Sequence, residues 1–301
     1  MSLSALVGIK PDTIRHWMTV LSHPLLNLWF FKNPRPLTVN HLKVYWRPSW
    51  LILDWITGKY EPGTTLIMDH LVHPGMAVVD IGANIGYYTL LLAQSVGLAG
   101  RVYAFEPDPP NLELLRKNVA ANGFQNVVTV VPLACGAQSG TTTFSNSTFY
   151  GQKGKKAAVI EVKVVSLDDY FSSIGWPQVD LIKMDIEGAE KAALDGMLQL
   201  SQKNPQLNII LEFNPFMMQQ AGVTRAGFFD SLLSLGFANF WVIKNELKGE
   251  KYLVELHIPR DIDRLTREFA DGTEVNLLCA KPEKMVMVNL LINNKTSKSK
   301  N

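Results

Sequence analysis

A chain of 301 residues, 47% hydrophobic and 19% charged, can bury a full core; this excludes a globally disordered protein and predicts one large domain with additions. Its formal net charge of +2 lacks the basic excess that marks a nucleic-acid binder. Cys135 and Cys279 sit in apolar, strand-like runs with no CxxC or Cys/His cluster, which speaks against a zinc site or disulfide framework and fits a reducing, cytoplasmic setting.

Residues 1–62 are rich in aromatics and proline and hold five of the seven tryptophans: Trp17, Trp29, Trp46, Trp50 and Trp55. The apolar stretch from Trp17 to Phe31 is broken by Ser22, His23, Pro24 and Asn27, and no small-residue cleavage site follows. Neither a transmembrane helix nor a signal peptide is expected. The region reads as an aromatic cap on the core. A sugar-stacking lid, a homo-oligomer contact and a peripheral membrane contact stay open, the last because Trp17, Trp29, Phe30 and Phe31 neighbour Lys32 and Arg35.

Residues 63–282 alternate strand and helix patterns. Strands are predicted at 76–81, 101–105, 127–133, 181–184 and 209–213, and helices at 87–96 and 111–122. Such alternation gives a mostly parallel, doubly wound α/β sheet. Residues 141–145 and 159–165 read as an added hairpin around a solvated loop with Lys153, Lys155 and Lys156; contact of that loop with an anionic acceptor is the alternative. Residues 237–243 and 274–280 read as final strands at an antiparallel edge. Residues 283–301 read as a solvated tail, with an apolar run at 286–292 that has no assigned role.

In an open α/β sheet the ligand lies at the carboxyl ends of the strands. The first strand runs into Asp80-Ile81-Gly82-Ala83-Asn84-Ile85-Gly86-Tyr87. Gly82 and Gly86 permit a tight turn, and amides of a helix starting near Tyr87 can hold a carboxylate. An aspartate in that turn would repel a pyrophosphate but suits a ligand carrying an ammonium and a sulfonium. Glu106-Pro107 ends the second strand, where an acid can take the hydroxyls of a ribose. Ala134 and Cys135 follow the third, where backbone could meet an adenine edge. The fourth ends in Asp185-Ile186-Glu187 and the fifth in Glu212. The helix before the first strand should place Tyr60 and Glu61 on this ligand face, and His70 and His73 on the opposite, structural side.

The segments VVDIGANIGYYTL (78–90), VYAFEPDP (102–109), NVAANG (118–123) and DLIKMDIEGAE (180–190), with Tyr60-Glu61-Pro62 and LEFNP (211–215), together resemble the FkbM family of S-adenosylmethionine-dependent methyltransferases. The resemblance covers about residues 58–282 and implies a Rossmann-like class I methyltransferase fold. It further implies O-methylation of hydroxyls on sugars, glycosides, glycolipids or polyketide products. It places S-adenosylmethionine on Asp80, Gly82, Asn84, Gly86 and Glu106; Glu61, Ala83, Tyr87, Thr89, Pro107, Ala134, Cys135 and Asp185 complete the candidate cofactor set. Residues 1–57 lie outside the resemblance and are expected to shape substrate choice.

A sugar hydroxyl is a weak nucleophile, so a general base is expected. Asp185 is the first candidate and Glu212 the second, with Glu187 orienting the substrate or holding the turn. Mg²⁺ on Asp185, Glu187 and Glu212 is a less favoured variation. Two other readings are a nicotinamide oxidoreductase, opposed by the missing GxGxxG and Tyr-x-x-x-Lys pair, and a non-catalytic S-adenosylmethionine- or glycolipid-binding module.

Overall fold

The computed structural model describes residues 36–46, 54–55, 58–145, 159–245, 253–258, 260–262 and 274–282. Trp17, Trp29, Phe30, Phe31, Lys32, Arg35, Trp50, the lysine loop, the 286–292 run and the tail lie outside the described residues. Among the described residues no helix is long and apolar enough to cross a membrane.

The main sheet has eight strands. From one edge they run β5 (Val128–Val131), β4 (Arg101–Phe105), β3 (Ala77–Ile81), β9 (Leu181–Met184), β10 (Asn208–Phe213), β13 (Val275–Ala280), β11 (Asn239–Ile243) and β12 (Leu253–Leu256). The strands from β5 to β10 pair in parallel, while β13 runs antiparallel to both β10 and β11, and β12 antiparallel to β11. Helices α1 (Pro62–Leu71), α2 (Tyr87–Val96) and α3 (Pro109–Ala121) lead into or link the strands from β3 to β5. The other half is linked by α4 (Leu167–Ser173), α5 (Glu190–Asp195), α6 (Leu198–Lys203), α7 (Pro215–Gln220) and α8 (Arg225–Ser234). This is the expected doubly wound, Rossmann-like architecture. Strands 101–105 and 181–184 and helix 87–96 have the predicted bounds, because each is a compact apolar pattern closed by a turn residue.

Three features differ from expectation. The third strand stops at Val131, and Ala134–Cys135 form β6, which pairs in parallel with β8 (Val159–Val165) beside β7 (Gly140–Ser145) in a separate three-stranded sheet. Of the two final strands, β13 is inserted between β10 and β11, and the outermost strand is the unforeseen β12. A short hairpin, β1 (Leu37–Val39) and β2 (Leu42–Val44), precedes α1. Three-residue strands carry too little periodicity to be read from sequence.

Two asparagines of α3 dock that hairpin. Asn122 exchanges hydrogen bonds with the backbone of Lys43, at 2.8 and 2.7 Å. Asn118 accepts from Tyr45 N and donates to Tyr45 O and, at 2.7 Å, to Ile85 O. The polar ends of NVAANG thus couple the N-terminal region to the Gly82–Gly86 turn. Trp55 is buried beside the hairpin residues Val39, Leu42 and Val44, and Trp46 packs on the same cluster.

The pleat sends alternate strand residues to opposite faces. One face at the carboxyl ends carries Ile81, Met184, Leu211, Phe213 and Leu277, all in the apolar core with α5, α6 and α8. The other carries Val78, Leu181, Ile210 and Leu278 deep in the sheet. Towards the carboxyl ends the same face turns polar, with Asp80, Lys183, Glu212 and Asn276. Asp80 is the register partner of Lys183, and Glu212 of Asn276. All four are buried, so a charged stripe crosses the centre of the sheet under α1 and α2.

Candidate active site

The Gly82–Gly86 turn is built by backbone geometry. Gly82, Asn84 and Gly86 have φ of 82°, 51° and 102°, the left-handed region that glycine and asparagine tolerate. A Cβ on Gly82 would lie 1.9 Å from the carbonyl oxygen of Asp185, so this glycine is what lets the turn sit against the end of β9. Gly82 N and Ala83 N donate to Phe105 O, which locks the turn to β4. No side chain caps the start of α2, so its first-turn amides suit an anionic group.

Glu106 is clamped. Its Oε2 accepts from Asn84 N and its Oε1 from Asp108 N, each at 2.8 Å, tying together the turns after β3 and β4. Burial pushes its carboxyl up to about 7, against the lowering pull of those amides. The Asn111 side chain also donates to this carboxylate, which leaves acceptor capacity for one further donor such as a ribose hydroxyl. Pro107 follows it, half-buried.

Asp80 differs from expectation. It lies within β3 rather than in the turn, so it points to the sheet face beneath α2, where Thr89 donates to its Oδ2 at 2.5 Å. Burial lifts its carboxyl to about 6, opposed by Thr89 and Lys183. Tyr87 packs its ring on Trp55 at 4.5 Å and on Tyr60 at 5.0 Å, so its side chain belongs to the aromatic cluster. Cys135 is a buried thiol raised by burial, with its side chain in the core; Ala134 is half-buried on the backbone run after β5.

At the adjoining strand ends the acids face one another. The side chain of Asp185 is 26% exposed, and its Oδ2 lies 3.3 Å from the fully buried Lys183 ammonium. Desolvation pulls Lys183 down most, but the summed attraction of Asp185, Glu61, Asp80 and Glu212 outweighs it and its pKa is raised. Glu61, the left-handed N-cap of α1, accepts from Tyr88 Oη at 2.5 Å and from Asn276 Nδ2 at 2.8 Å. Burial raises its carboxyl, and Lys183 is the strongest opposing influence. Tyr60 beside it is also held well up by burial and by the surrounding acids.

Glu212 is 7% exposed, and burial together with Asp185 and Glu274 drives its carboxyl far above the ordinary range. Its Oε2 and the Oδ1 of Asn276 are buried acceptors with no hydrogen-bond donor among the described residues. Glu187 occupies a left-handed position (φ 54°), and burial, Asp185 and Glu274 raise it to about 7. Glu190 fixes this loop by accepting from Ile186 N at 3.0 Å and Gly188 N at 2.9 Å. Among the described residues no three His, Cys, Asp or Glu side chains converge as a metal-holding group, so Asp185, Glu187 and Glu212 do not form a ready Mg²⁺ cage.

The structure thus gathers Glu61, Asp80, Asp185 and Glu212 around one cation, with the Gly82 turn at its rim. Lys183, Tyr88 and Glu190 carry no role in the sequence motifs. The available signal was a lysine inside the otherwise apolar strand Leu181–Met184. His70 and His73 lie towards the amino end of β3, where His70 Nδ1 is 2.8 Å from Leu66 O, away from these groups.

The methyltransferase FkbM domain matches this chain over residues 80–239. A protein-L-isoaspartate O-methyltransferase of Aeropyrum pernix is 47% identical over 58 residues, 19% of this chain and 22% of that protein. The hexuronic acid methyltransferase AglP of Haloferax volcanii is 30% identical over 129 residues, 41% of this chain and 50% of that protein. The chain therefore spans half or less of the length of these relatives. The crystal structure of a methyltransferase FkbM from Methylobacillus flagellatus superposes with a TM-score of 0.42 at 20% identity, covering 68% of this chain and 43% of that one. With more than half of its residues inside the family domain, the chain belongs to the FkbM family of S-adenosylmethionine-dependent methyltransferases.

Proposed function

We propose that the protein is an O-methyltransferase for a hydroxyl of a sugar-bearing small molecule, a glycoside or glycolipid. The observation that carries this reading is the contact between the two halves of the site. The Gly82 turn lies against the Asp185 carbonyl, and the partly exposed Asp185 carboxylate stands at that junction. The similarity to a hexuronic acid methyltransferase supports a sugar acceptor.

The residues present fit S-adenosylmethionine. The uncapped α2 amides suit its carboxylate, the remaining acceptor capacity of Glu106 a ribose hydroxyl, and the backbone at Ala134–Cys135 its adenine edge. When bound, that cofactor supplies a methyl group activated by a sulfonium. The protein's own contribution is alignment, which can lower a barrier by about 7–11 kcal/mol, and proton removal, worth about 10²–10⁴-fold. We assign Asp185 as the base that takes the acceptor hydroxyl proton. Glu212, raised by burial and then by its acidic neighbours, is assigned as the protonated hydrogen-bond donor to the acceptor. Glu187 orients the acceptor from the loop that Glu190 fixes.

The test is a screen of methyl glycosides, glycolipids, a macrolide and an isoaspartyl peptide with methyl-tritiated S-adenosylmethionine. The expected product is a sugar ether whose label survives alkali. Alkali-labile label on the peptide identifies a carboxyl methyl ester and refutes the sugar reading. Binding of S-adenosylhomocysteine without turnover of any acceptor favours the non-catalytic module.

A further inference from the structure

Lys183 is the most confined ionic group of the site. Its side chain is 0% exposed, so it touches neither solvent nor an acceptor. It sits in β9 among residues that are all buried, a position that an apolar side chain could fill without desolvating a charge. Replacing a buried ion pair by apolar residues is often neutral for a fold, so stability alone gives a weak reason for this lysine.

Its surroundings give a stronger one. Asp185 lies two residues on, on the same side of the strand, and its Oδ2 approaches the ammonium at 3.3 Å. The Asp185 side chain is 26% exposed, so it also reaches the accessible side. Asp80, the register partner of Lys183 on β3, is bound through Thr89 to the first turn of α2. The Tyr88 ring, also on that turn, lies 5.0 Å from the ammonium, and its hydroxyl holds Glu61 at the start of α1. Glu212 contributes from β10. One cation therefore connects the carboxylate at the acceptor side to the helix that begins at the cofactor turn.

We propose that Lys183 is a positioning residue: its ammonium fixes the partly exposed Asp185 carboxylate and sets it relative to the Gly82–Gly86 turn. The inference rests on Asp185 being the base. It predicts that loss of the ammonium lowers turnover by the same route as loss of the Asp185 charge.

The experiment is a double-mutant cycle on the full chain with Lys183→Gln, Asp185→Asn and the double variant. The acceptor is the methyl glycoside that the screen finds best, and S-adenosylhomocysteine calorimetry reports folding and cofactor affinity. Lys183→Gln is expected to lower kcat by about 10²-fold, with acceptor KM and S-adenosylhomocysteine affinity each within about threefold. In the Asp185→Asn background the same change should cost less than about threefold in kcat, because the group it positions has already lost its function. Equal losses in both backgrounds, or a loss confined to KM or cofactor affinity, would overturn the proposal. If Lys183→Gln does not fold, Lys183→Arg takes its place, with the same non-additivity expected and equal losses again refuting the idea. Full activity of Asp185→Asn would remove the base and this inference together; no glycoside turnover by the unaltered chain would remove the function from which both follow.

Discussion

Two halves of one sheet edge use the same residue type in opposite ways. At the ends of β3 and β4, Asp80 and Glu106 are satisfied by the protein itself, through Thr89 and through two backbone amides. At the ends of β9 and β10, Asp185, Glu187 and Glu212 stand against each other and against Glu274, and one Glu212 oxygen has no donor among the described residues. The first half is preorganised and uses its acids to hold backbone in shape. The second leaves its acids crowded and partly unsatisfied by the scaffold, the pattern expected at a functional site rather than a structural one.

The comparison breaks most sharply at Asp185. Asp185→Asn should lower kcat by about 10²–10⁴-fold, the range for a general base, while S-adenosylhomocysteine affinity stays unchanged. Steady-state kinetics beside calorimetry will read this, and a parallel loss of cofactor binding would mean that the halves are not separate. Gly82→Ala attacks the boundary. Its methyl group would collide with the Asp185 carbonyl at a φ of 82°, so a destabilisation on the order of 3 kcal/mol is expected, seen as a lower Tm together with lost cofactor binding. An unchanged Tm would show that the two strand ends can move apart.

The first half was the more legible in sequence, for a physical reason. Its geometry comes from local chemistry: glycines that permit left-handed φ, an acid at a strand end, Asp108 capping α3 and prolines at its first positions. Such signals are written within a few consecutive residues. The second half depends on which strands become neighbours. That Glu212 faces Asn276, or that Glu61 reaches Asn276 over 215 positions, follows from the insertion of β13 beside β10, which no local pattern specifies. Lys183 was visible as a lysine in an apolar strand, but its partners come from four other segments. Asp80 was misplaced into the turn because the strand boundary and the motif overlap there by two residues.

In the first half, Glu106→Ala removes a clamp on two backbone amides and the proposed ribose acceptor. S-adenosylhomocysteine affinity should fall by about 1–3 kcal/mol, with acceptor KM preserved. A larger effect on acceptor KM than on cofactor affinity would place Glu106 on the wrong side of the division.

The raised carboxyls of both halves give a pH signature. Glu106, Glu187 and Glu190 are each lifted from the ordinary 4.5 to about 7, chiefly by burial, so between these values the folded chain binds more protons than the unfolded chain. Their contribution to stability is complete below about 4.5 and is lost as pH rises through about 7. The Tm of the ligand-free protein should therefore decline from pH 5 to pH 8, with about 2–4 °C for each kcal/mol lost. Glu187→Gln, which removes one such carboxyl without touching the backbone clamps, should make the decline shallower. A Tm that climbs over this window would show that these acids are solvated.

The smallest effect is expected at Glu212, and it tests the division most finely. Glu212 and Asp185 end neighbouring strands, and both were candidates for the same role. Burial first, and then the charges of Asp185 and Glu274, raise the Glu212 carboxyl far above the ordinary range, which favours its protonated form. A glutamine at 212 keeps the volume and the neutral charge of that protonated acid. Glu212→Gln should accordingly leave kcat within about threefold near neutral pH, less than 1 kcal/mol of barrier, although Asp185→Asn one strand away removes most of the activity. If the two amides cost the same, Glu212 is ionised in the working enzyme and the two strand ends do not divide the roles of base and donor.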